Sequence, residues 1–146
     1  MDISALADYC IKRGAILHSH EFEDIDHGKL FVIVGEDKDD FYGFFFINSN
    51  INQFLQKRPT LYQMQIPLNQ ENYSDILTHN SFLDCHAITP ISKAKLKKQF
   101  REGKVQYKGD LTDNDLDIVM RTVRESDLFS DYEKETYFAV IKLGIR

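Results

Sequence analysis

Tryptophan is absent from this chain, and cysteine occurs only twice and proline three times in 146 residues. Two thiols, Cys10 and Cys85, cannot build a disulfide framework, and their separation matches no metal-binding spacing. Each lies in an apolar pattern, where a free cysteine behaves as a small hydrophobe, and a reducing compartment is expected. No apolar run approaches the ~20 residues that cross a bilayer as a helix. Polar residues interrupt the apolar ones from Asp2 onward, so a signal peptide is not expected and the expected location is cytoplasmic. Internal repeats and low-complexity tracts are missing. So are a phosphate-binding glycine-rich loop, a paired-cysteine motif, an HExxH helix and a nucleophile elbow. Any chemistry must therefore come from isolated polar residues in places that need explaining.

What remains is the composition of a globular chain: 42% apolar and 28% charged, with 11 Phe and 7 Tyr. The length suits one domain, taken as 1–146, able to bury roughly two-thirds of its unfolded surface. A net charge of −5 argues against a protein that coats nucleic acid. The charge is uneven, however: residues 93–108 carry +6, leaving −11 on the rest. That stretch reads either as a solvated helix face or as a local nucleic-acid contact.

Periodicity predicts an N-terminal helix over 3–11, capped by Asp2 and stopped at Gly14, then a short strand at 15–19. An acidic loop covers 20–26. Two strong strands, 29–34 and 41–48, form a hairpin in which Gly43 marks a bulge or a close approach. A helical turn is expected within 51–57, a strand over 61–68 with Pro67 at an edge, and a last clear strand over 82–88 (FLDCHAI), stopped by Pro90. Ser92 and Thr112 cap two further helices, and Ser130 with Glu133 forms a capping box for a third. Residues 137–145 fit helix or strand equally. No crossover helix separates the strands, so the expected fold is mainly β with helices (α+β): an antiparallel sheet closed into a small barrel.

Three groups of polar residues stand out. In FLDCHAI, alternation places Leu83, Cys85 and Ala87 on a core face and Phe82, Asp84, His86 and Ile88 on the other. A carboxylate and an imidazole at that spacing suit acid–base work on a phosphodiester, or they are ordinary solvent-facing residues. The strand at 41–48 ends in Asn48, Ser49 and Asn50, which could aim donors at a phosphate or simply turn the chain. The segment from His18 through His20 and Glu21 to His27 gathers histidines and carboxylates without a recognised ligand spacing, so no metal site is assigned. His79 reads as a surface loop residue.

Taken in order, GAIL (14–17), the loop to His27-Gly28, Lys29 leading into LFVIVG, FFFINSN (44–50), ILTHNSFLDCHAI (76–88) and YKGDLTDNDLDIVMRTV (107–123) resemble the PemK/MazF family of growth-inhibiting toxins. The match covers roughly residues 14–125; 1–13 and 126–146 stand outside it as an added helix and an added C-terminal element. The resemblance implies an SH3-like β-barrel, usually a homodimer paired with an antitoxin protein, that cleaves single-stranded RNA without metal or other cofactor. It also implies roles: Asp84 and His86 at the family's catalytic strand, Asn48 and Ser49 at its Thr/Ser strand end, and Lys29 at its phosphate-binding Arg, with His27 beside it. Lys29 replaces that Arg and Leu30 the following Pro, so His86 becomes the protonatable group and Asp84 its partner. A different class of function is also open: a non-catalytic barrel that binds a protein or peptide through Phe41, Tyr42 and Tyr62.

Overall fold

The β-branched and aromatic runs of the first two-thirds pair into one antiparallel sheet, and the amphipathic segments pack against both of its faces. A computed structural model describes residues 2–22, 28–38 and 40–139. Among these residues the order is α1 (Ile3–Cys10), β1 (Ala15–Ser19), β2 (Lys29–Glu36), β3 (Phe41–Asn48), α2 (Gln53–Gln56), α3 (Pro59–Tyr62) and β4 (Gln65–Leu68). There follow β5 (Ser81–Asp84), β6 (Thr89–Ser92), α4 (Lys93–Arg101), β7 (Val105–Asp110), α5 (Asp113–Glu125) and α6 (Asp131–Tyr137). None of the helices is long and apolar enough to cross a membrane. His27 and residues 140–146 lie outside the described residues.

The helix starts follow local chemistry. Side chains of Asp2, Ser92, Thr112 and Ser130 each accept a hydrogen bond from a backbone N–H of the first turn, and Ser130 with Glu133 completes a capping box. The expected strand over 61–68 is shorter than its alternation suggested. Pro59 opens a helical turn, and pairing begins only at Gln65. β7 replaces part of the expected basic helix face: Val105 is buried and Tyr107 half-buried, while Gln106 and Lys108 face solvent. After α6 ends at Tyr137, the Arg13 guanidinium takes the carbonyls of Val34, Tyr137 and Ala139, and Arg124 takes that of Phe138. These contacts close the described C-terminal segment without a strand.

The hydrogen-bonded path runs β4-β5-β3-β2-β1-β7, with β6 also paired to β3. The sheet is therefore open, and the expected closed barrel is not formed: among the described residues no ladder joins β4 to β7. Closure is unnecessary because helices cover both apolar faces. One core holds Val32, Val34, Phe45, Leu83 and Cys85 with Val119 and Val123 of α5 and Phe138 beyond α6. The other holds Leu17, Phe31, Ile33 and Phe44 with Ala7 of α1 and Leu96 of α4. The edges are guarded locally, by Pro67 in a short β4 and by Lys108 and Asp110 in β7.

β3 bonds β5 and β6 in turn along one edge. Between the Ile47–Leu83 and Phe44–Thr89 pairs, β3 advances from 47 to 44 while its partner advances from 83 to 89. The three surplus residues leave the ladder as a bulge at 85–88. FLDCHAI is thus not one strand, and Ala87, expected in the core, is exposed. Pro90 does not stop the sheet either; it pairs with Gly43 in β6. The bulge is held at both ends. The Cys85 N–H donates to the Met64 carbonyl at 2.9 Å. Ile88 lies over Gly43, where a built Cβ would fall 2.0 Å from its Cδ1, and over the cross-strand partner Gly35, where the separation would be 2.8 Å.

Gly43→Ala should therefore destabilise the protein by about 1–3 kcal/mol in urea unfolding, as overpacking does. The loss should shrink in an Ile88→Ala background. An equal loss in both backgrounds would show that Ile88 is not the atom group in the way.

Candidate functional site

The bulge turns His86 back toward β5. Its Nδ1 lies 2.5 Å from Asp84 Oδ1, and the same oxygen accepts the His86 backbone N–H at 3.3 Å and Gln65 Nε2 at 2.7 Å. Gln65 sits directly opposite Asp84 in the β4–β5 ladder. Its side chain is buried and also reaches the Leu61 carbonyl at 3.4 Å. Asp84 is 15% exposed and His86 36%. A carboxylate on Nδ1 selects the tautomer whose free nitrogen is Nε2. Nε2 makes no hydrogen bond among the described residues, so it can take a proton from an incoming hydroxyl and return it. The same contacts also brace the bulge, so Asp84 orients the ring and shapes the backbone together.

Lys29 opens β2 and Asn48 closes β3. Extending the Phe31–Phe46 pairing by two residues sets them opposite each other, and the Lys29 ammonium donates to Asn48 Oδ1. The ammonium also lies 5.8 Å from the centroid of the Phe46 ring, part of an aromatic group with Phe22, Phe31 and Phe44. Burial lowers the Lys29 pKa, opposed by the charge of Asp84. Four of the expected residues, Lys29, Asn48, Asp84 and His86, thus share one end of one sheet face. Burial raises the Cys85 thiol well above its ordinary pKa, with the charge of Asp84 adding to it, so Cys85 is an inert anchor beneath the pair.

Ser49 is placed elsewhere. With Lys29 it borders a cleft of about 500 Å³ that opens beside His18, His79, Ser81 and Lys108. Alternation assigns this cleft to the face shared with Ile47 and Leu30, the opposite face from Phe46 and Asp84. His79, read as a loop residue, therefore lines a concave surface. Gln65 and Lys108 were missed. Gln65 shows only as one polar residue in a short apolar run, and nothing local pairs it with Asp84. Lys108 merged with the basic stretch, of which Lys93 and Lys97 are now tied to Glu36 and Asp8.

His27 lies outside the described residues, as does most of the acidic loop. His18 and His20 stack edge to face at 4.8 Å, and among the described residues no group of three or more His, Cys, Asp or Glu could hold a metal ion. Of the aromatics considered for partner binding, Phe41 and Tyr62 are exposed. Tyr42 is not: it is buried, and its hydroxyl donates to the Ile11 carbonyl at 3.2 Å. Its position in a strand covered by α1 and α4 accounts for the difference. No protein-family model and no curated protein matches the chain.

If Cys85 anchors a closed bulge, it should resist alkylation in the native protein and react fully after unfolding in urea. Peptide mapping by mass spectrometry reads this directly. Rapid native-state labelling of Cys85 would mean that the bulge opens.

Proposed function

We propose that this chain is an endoribonuclease that cleaves single-stranded RNA by acid–base catalysis at His86. The observation that carries the reading is the short Nδ1 contact to Asp84, which leaves Nε2 as the reactive nitrogen, with the Lys29 ammonium within the electrostatic reach of the same carboxylate. In the proposed reaction Nε2 takes the proton of a ribose 2′-hydroxyl and O2′ bonds to the adjacent phosphorus. The P–O5′ bond then breaks, and the imidazolium returns its proton to the departing oxygen. The products are a 2′,3′-cyclic phosphate and a 5′-hydroxyl end. Lys29, held by Asn48, supplies positive charge near the phosphate. Asp84 is a positioning residue. The order of motifs from Gly14 to Val123 resembles PemK/MazF toxins, and supports placing the activity in a toxin–antitoxin pair with the chain acting as a homodimer.

A second reading is a binding module without catalysis. It is favoured by exposed Phe41 and Tyr62 and by Phe54, exposed beneath the Arg58 guanidinium at 3.6 Å. Incubation with a mixed single-stranded RNA pool separates the two. The wild type should cut the pool and arrest growth on expression, and His86→Ala should lower cleavage about 10²–10⁴-fold without loss of the fold, as read by circular dichroism. RNA left intact by the folded wild type would end the nuclease reading.

A further inference from the structure

The cleft on the opposite face is a concavity that shares only Lys29 with the catalytic reading. Basic side chains reach it from four separate places: His18 on β1, Lys29 on β2, Lys108 on β7 and His79 in the loop before β5. No carboxylate borders it among the described residues. Its remaining wall is apolar, with Leu30, Ile47 and Ile76, and all three also pack against the core beneath. Its volume of about 500 Å³ falls in the ordinary range for a small-molecule site.

Several contacts keep the cleft open and its groups aimed. Gly28 has φ +80°, and a Cβ there would come 2.5 Å from His18 Cε1, so only glycine lets the His18 ring lie where it does. His79 Nδ1 lies 2.9 Å from Thr78 Oγ1, and Ser81 Oγ donates to the His79 carbonyl at 3.1 Å. Gly109 lets Ile76 approach β7, where a Cβ would stand 2.9 Å from Ile76 Cδ1. Lys108 is exposed and makes no hydrogen bond or ion pair among the described residues.

We infer that this cleft binds a nucleotide, with its phosphate on the His18–His79–Lys108 rim and its base over the apolar floor. A rim of lysine and imidazole N–H donors suits a dianionic phosphate, whereas the apolar floor gives a flat base more area than an inorganic ion can use. The site stands whether or not His86 is catalytic.

Titration of the full-length protein with the four 5′-mononucleotides, their nucleosides, inorganic phosphate and a 2′-O-methyl RNA oligomer, followed by amide NMR shifts, tests it. Mononucleotides should perturb residues 28–30, 47–49, 76–81 and 108, and bind more tightly than nucleosides or phosphate. Lys108→Ala should weaken binding about tenfold, as loss of a charged hydrogen bond does. Gly28→Ala should weaken it by displacing His18, and His86→Ala should leave it unchanged. An oligomer that binds through the same residues at least tenfold more tightly than mononucleotides makes the cleft an RNA subsite; equal affinities make it a site for free nucleotide. If neither ligand perturbs these residues, or Lys108→Ala and His79→Ala both bind as the wild type does, the inference is overturned. Retained nucleotide binding without RNA cleavage would overturn only the catalytic reading.

Discussion

Ile88 seated on the Gly35–Gly43 pair is the contact on which the candidate site depends. Two glycines facing each other across β2 and β3 leave a shallow gap in an otherwise aromatic and β-branched sheet. Ile88 fills it from the bulge, and Tyr137 and Phe138 pack against Gly35. Because Ile88 is fixed there and Cys85 is fixed by the Met64 carbonyl, His86 and Ala87 have nowhere to go but outward. A side chain at either glycine would compete for the volume that holds the bulge.

The bulge converts a sequence spacing into a contact. On a regular strand, side chains at Asp84 and His86 would stand roughly 7 Å apart. Here one carboxylate oxygen receives the ring, the backbone N–H of the same histidine and the Gln65 amide. The arrangement places a half-exposed imidazole over a well-hydrogen-bonded carboxylate, with a partly buried ammonium close enough to be influenced by it. Lys29 has a second role in the layout. It borders the cleft on one face while its ammonium, bonded to Asn48, feels the charge of Asp84 on the other.

Open-sheet architecture follows from how the apolar surface is covered. A barrel hides its inner face by closing on itself; this sheet uses α1 and α4 on one side and α5 and α6 on the other. The helix caps and the hairpin were legible because Asp2, Ser92, Thr112 and Ser130 act on residues three positions away, and because β2 and β3 are adjacent in sequence. Asp84, His86, Lys29 and Asn48 were legible as polar residues at the ends of apolar strands. Gln65 and Lys108 were not, since each gains its place from a strand pairing that no local pattern announces. Tyr42 was misjudged for the same reason: an aromatic in a strand is exposed or buried according to what lies above it.

By itself the sequence determined the caps, the β2–β3 hairpin, the antiparallel character of the sheet and the short set of residues able to do chemistry, because these depend on neighbours within a few positions; it did not announce α3, β6 or β7. Tertiary structure decided that the sheet stays open, that FLDCHAI breaks into a strand and a bulge, and that Ser49 belongs with His18 and Lys108 rather than with His86. Those outcomes turn on volume and register between segments far apart in the chain. The gap over two glycines and the three surplus residues opposite β3 exist only once the strands have met.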